Sequence, residues 1–382
     1  CVTVLPSMIL CCDKLIEKTK HKPLLPDIGR ISDKVTKRYV IYVVAFVIIL
    51  FPAIYGNNHT GVYYNLDESL PKDLPSVIAN TKLKEDYNMN TTHMILVDSS
   101  VAGSDVKKMS QEIEKVDGVK WVLGLDNLVG SGVPADMLPE SVTGMLKNDK
   151  YQLLMVNSTY KVASNKVNKQ IEEIDKILDK YDKSAMLVGE GPLTKDLINI
   201  TDTDFKRVSA VSIGIVFVII LLLFKSVTIP VILVGVIEFA IFVNMGIPFY
   251  TGTKLPFVAS IVIGTIQLGA TVDYAILMTE GYVVNRRTMG RREAVEGTLT
   301  KNFISVLTSG LILSAAGFCL GFESSLEVVA ELGILLCRGT LLSMAMVLLA
   351  LPALLMIFDP LTARLTLKSG FLKKTDKEVE TK

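Results

Sequence analysis

The chain has 382 residues, of which 50% are hydrophobic and 21% charged, and it carries a formal net charge of +1 with a mean hydropathy of +0.43. This mixture indicates that apolar and charged residues are segregated, with apolar blocks of membrane-spanning length. One soluble core would account for one such block but not for six, which excludes a single soluble domain.

The first residues resemble the end of a membrane helix more than the start of a chain. Pro6 precedes Asp13 at the spacing at which Pro352 precedes Asp359, and a leucine comes before each proline. An internal repeat explains this match. Residues 1–12 would then be the end of the last helix of a preceding half, and the chain would be a fragment that continues into one complete half. The alternative is a coincidence between two helix ends.

Residues 13–38 form a basic linker before the first apolar block. Its cations are Lys14, Lys18, Lys20, Lys22, Arg30, Lys34, Lys37 and Arg38. Arginines also cluster after the fourth block: Arg286, Arg287, Arg291 and Arg292. Because basic residues near span ends mark the cytoplasmic side, both segments and the tail at 359–382 are expected in the cytoplasm. Segment 285–301 predicts an interfacial helix at anionic head groups, with a solvated loop as the alternative.

Six apolar blocks are close to the length that a helix needs to cross a hydrocarbon core, about 20 residues. They lie at 39–55, 208–224, 229–247, 256–280, 303–322 and 332–358. We predict an α-helical polytopic bundle in the plasma membrane, with a first complete transmembrane helix at 39–56 and five more at 206–358. Two patterns of small residues four positions apart, at 260–264 and 317–321, predict close helix packing.

The region between the first two spans, residues 57–205, alternates strand and helix patterns. Strands are expected at 92–97, 119–125, 151–156 and 185–188, and helices at 105–116 and 167–181. Two β-α-β units predict an α+β, ferredoxin-like domain, with 130–148 as an insert. By the charge pattern it lies outside the cytoplasm. Residues 193–208 are expected to continue as a helix into the second span.

Asp273, followed at once by Tyr274, interrupts the fourth apolar block. An ionisable group at the middle of a spanning helix costs about 2.5 to 3.5 kcal/mol on insertion scales, so it usually faces a bundle interior or a wet cavity. Gly269 and Ala270, one turn earlier, leave room for a partner or a water. Asp273 is therefore a candidate proton relay, with Tyr274 able to donate to a carboxylate of a partner helix. The alternative is an aspartate that only joins two helices by hydrogen bonding.

Three further polar residues within the spans are candidates for a role. Glu238, midway along the third block, either lines a substrate path or is neutral and paired. Ser309 lies among small polar residues that could hydrate a proton path, although such residues also help helices to pack. Arg338 is a candidate structural charge about 10 Å along the last helix from Glu331 at 1.5 Å per residue, and we expect it to extend outward to Glu327 or Glu331.

The sequence resembles one half of a resistance-nodulation-division transporter. The resemblance lies in the order of one span, a large outside region and five further spans, and in the sequence GATVDYA at 269–275 within the fourth span. The resemblance is greatest to the mycobacterial membrane protein large (MMPL) branch. Residues 333–352 also resemble the last helix of that branch. It implies a proton-motive-force-driven pump of two halves, in which Asp-Tyr pairs form a proton relay and porter-like outside domains export lipids or other amphiphiles. Asp273 and Tyr274 would then belong to the second half. The missing N-terminal half, membrane lipids and a hydrophobic or amphiphilic substrate would be its partners.

Other function classes fit the sequence less well. An intramembrane aspartyl protease needs two carboxylates that share a proton, and no second aspartate lies in any apolar block. A protein-export accessory of the SecDF type has the same span order, but a different polar signature is expected in its fourth helix. A sterol-sensing-type receptor would keep the architecture without transport. His21, His59 and His93 lack ligand spacing, so no metal, cofactor or nucleic-acid partner is expected.

Overall fold

The computed structural model describes residues 4–18, 29–65, 70–128 and 140–366. Its helices are α1 (Val4–Lys18), α2 (Gly29–Lys37), α3 (Tyr39–His59), α4 (Pro75–Tyr87), α5 (Gly103–Ile113), α6 (Leu125–Leu128), α7 (Glu140–Leu146), α8 (Asn165–Tyr181), α9 (Glu190–Phe224), α10 (Thr228–Thr251), α11 (Phe257–Asn285), α12 (Arg291–Glu323), α13 (Glu327–Ile357) and α14 (Asp359–Leu365). Its strands are β1 (Val62–Tyr63), β2 (Thr91–Asp98), β3 (Val119–Leu123), β4 (Tyr151–Ser158), β5 (Met186–Gly189) and β6 (Leu255–Pro256). Parts of the predicted linker, insert and tail, at 19–28, 130–139 and 367–382, lie outside the described residues.

Six described helices are long and apolar enough to cross a membrane: α3, α9, α10, α11, α12 and α13. They coincide with the six predicted spans, which confirms a helical polytopic bundle. The apolar stretches of α10 and α13 are 67% and 61% buried, against 11% and 6% for those of α3 and α9. Helices α10 and α13 therefore form the centre of the bundle, and α3 and α9 lie at its edge.

Close backbone contacts at glycines fix two of the helix crossings. A Cβ on Gly246 of α10 would lie 2.9 Å from the backbone oxygen of Ala53 in α3, and one on Gly317 of α12 would lie 2.9 Å from that of Gly333 in α13. The predicted close packing at 317–321 is thus confirmed. At 260–264 it is wrong, because a Cβ on Gly264 would meet nothing within 4 Å.

The chain between α3 and α9 contains a four-stranded sheet in the order β3-β4-β2-β5, in which all neighbours are antiparallel. We call this sheet, with α5 and α8, the sheet domain. Side chains on one face of β2 alternate into a core that includes Ile95 and Val97, against which α5 packs Met109 and α8 packs Ile174. Every predicted strand and helix of this region occurs, with ends that shift by about three residues or fewer.

The sheet domain is joined to the bundle by one unbroken helix. Gly189, with φ +128°, ends β5, and α9 begins at the next residue. A side chain at Gly189 would be strained, because this φ favours glycine and a Cβ would lie 2.9 Å from the backbone oxygen of Thr92. The predicted continuation of 193–208 into the second span is confirmed, and the domain boundary expected at 205/206 falls inside α9.

The separate interfacial helix expected at 285–301 is wrong. Residues 291–301 are the first turns of α12, which continues without a break into the fifth span. A different short helix, α2, lies against these turns: Ser32 Oγ donates to the backbone oxygen of Glu296 at 3.0 Å, and Thr36 Oγ1 donates to its Oε1 at 2.8 Å. The charged turns of α12 are therefore a packing surface for the linker.

Candidate functional site

Asp273 lies on an open face of α11. The exposed residues around it follow helical spacing of three or four: Ile266, Gly269, Asp273, Leu277 and Glu280. We call these five residues the open stripe. The opposite side of α11 is buried, with Thr271, Ala275 and Met278 at 0 to 2% exposure. Within the described part of the chain, no hydrogen bond or ion pair holds the Asp273 carboxylate. This acid therefore faces away from its own bundle core.

Tyr274 is directed differently from its neighbour. Its side chain is half-buried and packs against the apolar core of the bundle. Successive helical residues point about 100° apart, so Asp273 faces outward and Tyr274 packs inward from the same turn. The described residues show no hydrogen bond between them. Ser309 of α12 is exposed and likewise has no bond to Asp273.

Glu238 of α10 lines a cavity of about 410 Å³ between α9, α10 and α11. The cavity extends from Asn57 near the end of α3 to Leu268 on α11. Leu268 precedes Asp273 by five residues, a rise of about 7.5 Å at 1.5 Å per residue. Ser260 and Gly264 line the same cavity, which explains why this pair makes no close helix contact.

Arg338 of α13 is not directed toward Glu327 or Glu331, so the expectation that it extends outward is wrong. Its Nε donates to Asn244 Oδ1 and a terminal nitrogen donates to the Asn244 backbone oxygen, both at 2.8 Å. Glu331 accepts instead from the Tyr63 hydroxyl at 3.0 Å. Burial and this carboxylate raise the pKa of the Tyr63 phenol above its usual range. Arg338 thus joins α13 to α10 within the bundle.

A buried polar cluster that the sequence reasoning missed surrounds this arginine. Asn244 Nδ2 donates to Gln267 Oε1 at 3.0 Å, and Gln267 Nε2 donates to Ser343 Oγ at 2.9 Å and to the backbone oxygen of Gly339 at 3.2 Å. The three side chains are 0 to 2% exposed. The cluster joins α10, α11 and α13, and its residue on α11, Gln267, precedes Asp273 by six residues, a rise of about 9 Å. Its signal in the sequence is the pair of amide side chains, Asn244 and Gln267, that lie inside two apolar blocks.

A second missed group lies where α11 ends. Arg286 donates to both Asp359 carboxylate oxygens, with the closest contact at 3.1 Å, and Tyr282 Oη donates to Asp359 Oδ1 at 2.6 Å. Both charged side chains are 6% exposed or less. Arg286 was counted with the cytoplasmic arginines that contact head groups, but it is a buried partner of Asp359. Among the described residues, no group of three or more metal-ligating side chains comes together.

Comparison with known proteins gives consistent matches. The sequence model of the MMPL family matches residues 69–371. The probable transport protein MmpL1 of Mycobacterium tuberculosis is 24% identical over 324 residues, covering 76% of this chain and 32% of that protein. The probable transport protein MmpL4 of Mycobacterium leprae is 24% identical over 302 residues, covering 75% and 31%. The siderophore exporter MmpL5 of Mycobacterium tuberculosis is 23% identical over 229 residues, covering 57% and 24%. The chain thus spans about a third or less of the length of these relatives.

Proposed function

Since this chain belongs to the MMPL family, we propose that it forms one half of a proton-motive-force-driven exporter of lipids or other hydrophobic or amphiphilic compounds. Asp273 and Tyr274 are its part of the proton relay. Its relatives are transport proteins by name, which supports transport over an enzymatic reaction.

The exposed carboxylate at the centre of the open stripe is the observation that carries this proposal. A charge that faced hydrocarbon would cost several kcal/mol, so such groups face bundle interiors, water or a partner. A second half that packs on the open stripe would cover Asp273 and supply donors to it. Since the relatives are about three times as long as the part matched, a preceding half is the natural source of that surface.

The arrangement of the sheet domain supports an extracytoplasmic, porter-like role. Its strand order places β4 between β2 and β3, as in two interlocked β-α-β units, and on this basis we propose a ferredoxin-like domain. The arginines that follow α11 support a cytoplasmic location for the opposite end of the bundle. We accordingly place the protein in the plasma membrane, with membrane lipids against the exposed faces of α3 and α9.

Asp273→Asn in the full-length protein that carries this chain tests the proposal. Asparagine keeps the shape of the side chain and removes its titration, so export is expected to fall to the background of cells without the transporter. Glu280→Gln is the matched control, because Glu280 lies on the same open stripe near the end of α11. Export should persist in that variant. Normal export by Asp273→Asn, at equal expression, would refute the relay.

A further inference from the structure

The cavity beside Glu238 has the size and composition of a ligand site. At about 410 Å³ it falls within the range of roughly 300 to 1,000 Å³ that is usual for small-molecule pockets. Its walls are largely apolar and aromatic, with hydroxyl groups from α9 and α11 such as those of Ser209, Ser212 and Ser260. A pocket of this kind suits a molecule with a large apolar part and few polar groups.

Among the described residues that line the cavity, the charged group is negative. Glu238 is the sole carboxylate among the described lining residues, and no lysine, arginine or histidine lines the cavity with it. The side chain is half-buried, and no hydrogen bond or ion pair within the described chain holds it. Burying a carboxylate without a partner is costly, and buried charges are normally paired. The site therefore lacks the positive group that would complete it.

Aromatic rings in the wall of the cavity fit the same kind of ligand. Tyr64 and Phe257 stack with their ring centroids 5.2 Å apart and an angle of 16° between their planes, and both line the cavity together with Phe205 and Phe242. The faces of aromatic rings attract cations, including quaternary ammonium groups. They also cover apolar groups, so these walls accommodate both parts of an amphiphilic cation.

We propose that this cavity binds an amphiphilic cation, with its positive group near Glu238 and its apolar part against the aromatic walls. The inference rests on the proposed export function, because the bound cation is then the cargo or a close analogue of it. An anion of the same size is excluded by repulsion from Glu238. A neutral amphiphile lacks the charge-assisted contact, which is stronger than a neutral hydrogen bond.

Two ions of matched shape and opposite charge, tetraphenylphosphonium and tetraphenylborate, provide the test. Their dissociation constants are measured by equilibrium dialysis on the full-length protein in a neutral detergent. The phosphonium is expected to bind saturably and the borate not to bind. Glu238→Gln should weaken phosphonium binding by about tenfold or more, whereas Glu238→Asp should keep the preference for the cation. Glu280→Gln, which removes a carboxylate outside the cavity, should leave the dissociation constant unchanged.

Equal binding of the two ions by the unsubstituted protein would overturn the proposal, and so would unchanged phosphonium binding in a folded Glu238→Gln. If Glu238→Gln does not fold, comparing the binding of the two ions to the unsubstituted protein and to Glu238→Asp still tests the proposal. The result is separable from the relay. If the protein shows no preference for the cation but export still requires Asp273, only the proposed cation site is refuted. If the protein binds the cation but export does not require Asp273, only the proposed relay is refuted.

Discussion

At the scale of single residues, the buried polar cluster shows how closely one position can be constrained. Gly339 lies where Asn244 and Gln267 approach the backbone of α13, and a Cβ there would overlap Asn244 Nδ2 and lie 2.6 Å from Gln267 Oε1. Fully satisfied polar networks make a core rigid, and their partial disruption leaves buried polar groups unpaired. We therefore infer that position 339 is a glycine because a larger side chain would displace the two amides.

Gly339→Ala is accordingly expected to lower the free energy of unfolding by about 1 to 3 kcal/mol, the usual cost of overpacking a core. Thermal unfolding of the purified protein in detergent measures the change. Gly235→Ala is the control, because a Cβ at Gly235 of α10 meets nothing within 4 Å. That variant should be neutral or slightly stabilised, since alanine is the better helix former. Equal stability of the two variants would show that the amides can move away at little cost.

His93 provides a pH-dependent test in the sheet domain. It is 0% exposed, with Nε2 3.3 Å from Gln170 Oε1, and burial lowers its pKa. The neutral ring is therefore favoured in the folded state, and its stabilisation is present above the unfolded pKa of about 6.5 and lost as the pH falls below it. The protection of the β2 amides against hydrogen exchange, taken relative to the intrinsic exchange rate at each pH, should therefore fall on acidification.

His93→Gln should reduce that loss of protection, because glutamine cannot take up the proton. His59→Gln should retain it, since His59 is exposed at the end of α3 and is not part of the sheet. If acidification lowered the protection equally in His93→Gln and the unsubstituted protein, another group would be responsible.

At the scale of elements, the short helix α14 is held to the end of α11 by one buried ion pair. Asp359 and Arg286 are bonded at 3.1 Å and nearly excluded from solvent. Removing one partner of such a pair leaves an uncompensated buried charge, and this cost exceeds the net contribution of the intact pair. The junction is thus stable as it stands and sensitive to single substitutions.

Asp359→Ala is expected to destabilise the protein by about 3 to 5 kcal/mol, the usual cost of breaking a buried pair, and to expose the α14 amides to hydrogen exchange. Asp33→Ala removes an exposed carboxylate that pairs with Lys37 and Arg292. It should have little effect, because solvent screens such pairs. Similar melting temperatures for the two variants would mean that water enters the junction and solvates Arg286.

The elements were predictable from the sequence where the signal is local. Span length and strand or helix periodicity predicted the six spans and the strands and helices of the sheet domain. Segment 285–301 was predicted wrongly because the charges at 291–301 interrupt hydropathy but not the helix, which begins at Arg291 and continues through α12. The contacts of Arg338 with Asn244 and of Arg286 with Asp359 depend on which helices are neighbours. Hydropathy along one helix carries no information about that.

At the scale of the whole molecule, the bundle has a face with two carboxylates among apolar residues that its own helices leave uncovered. The open stripe of α11 places Asp273 at the surface, while the cavity beside Glu238 ends about one and a half helical turns away along the same helix. α9, which contributes to the cavity wall, continues directly into the sheet domain. In the proposed transporter, proton movement at Asp273, cargo in the cavity and motion of the sheet domain are connected through α9 and α11.

Proton flux through the reconstituted full-length protein tests the central claim most directly. Proteoliposomes that contain a pH-sensitive dye are given an inward proton gradient, and the rate of internal acidification is recorded. The unsubstituted protein should dissipate the gradient faster than empty liposomes, and Asp273→Asn should fall to the rate of empty liposomes. Acidification by Asp273→Asn at the rate of the unsubstituted protein would show that protons do not pass through this carboxylate.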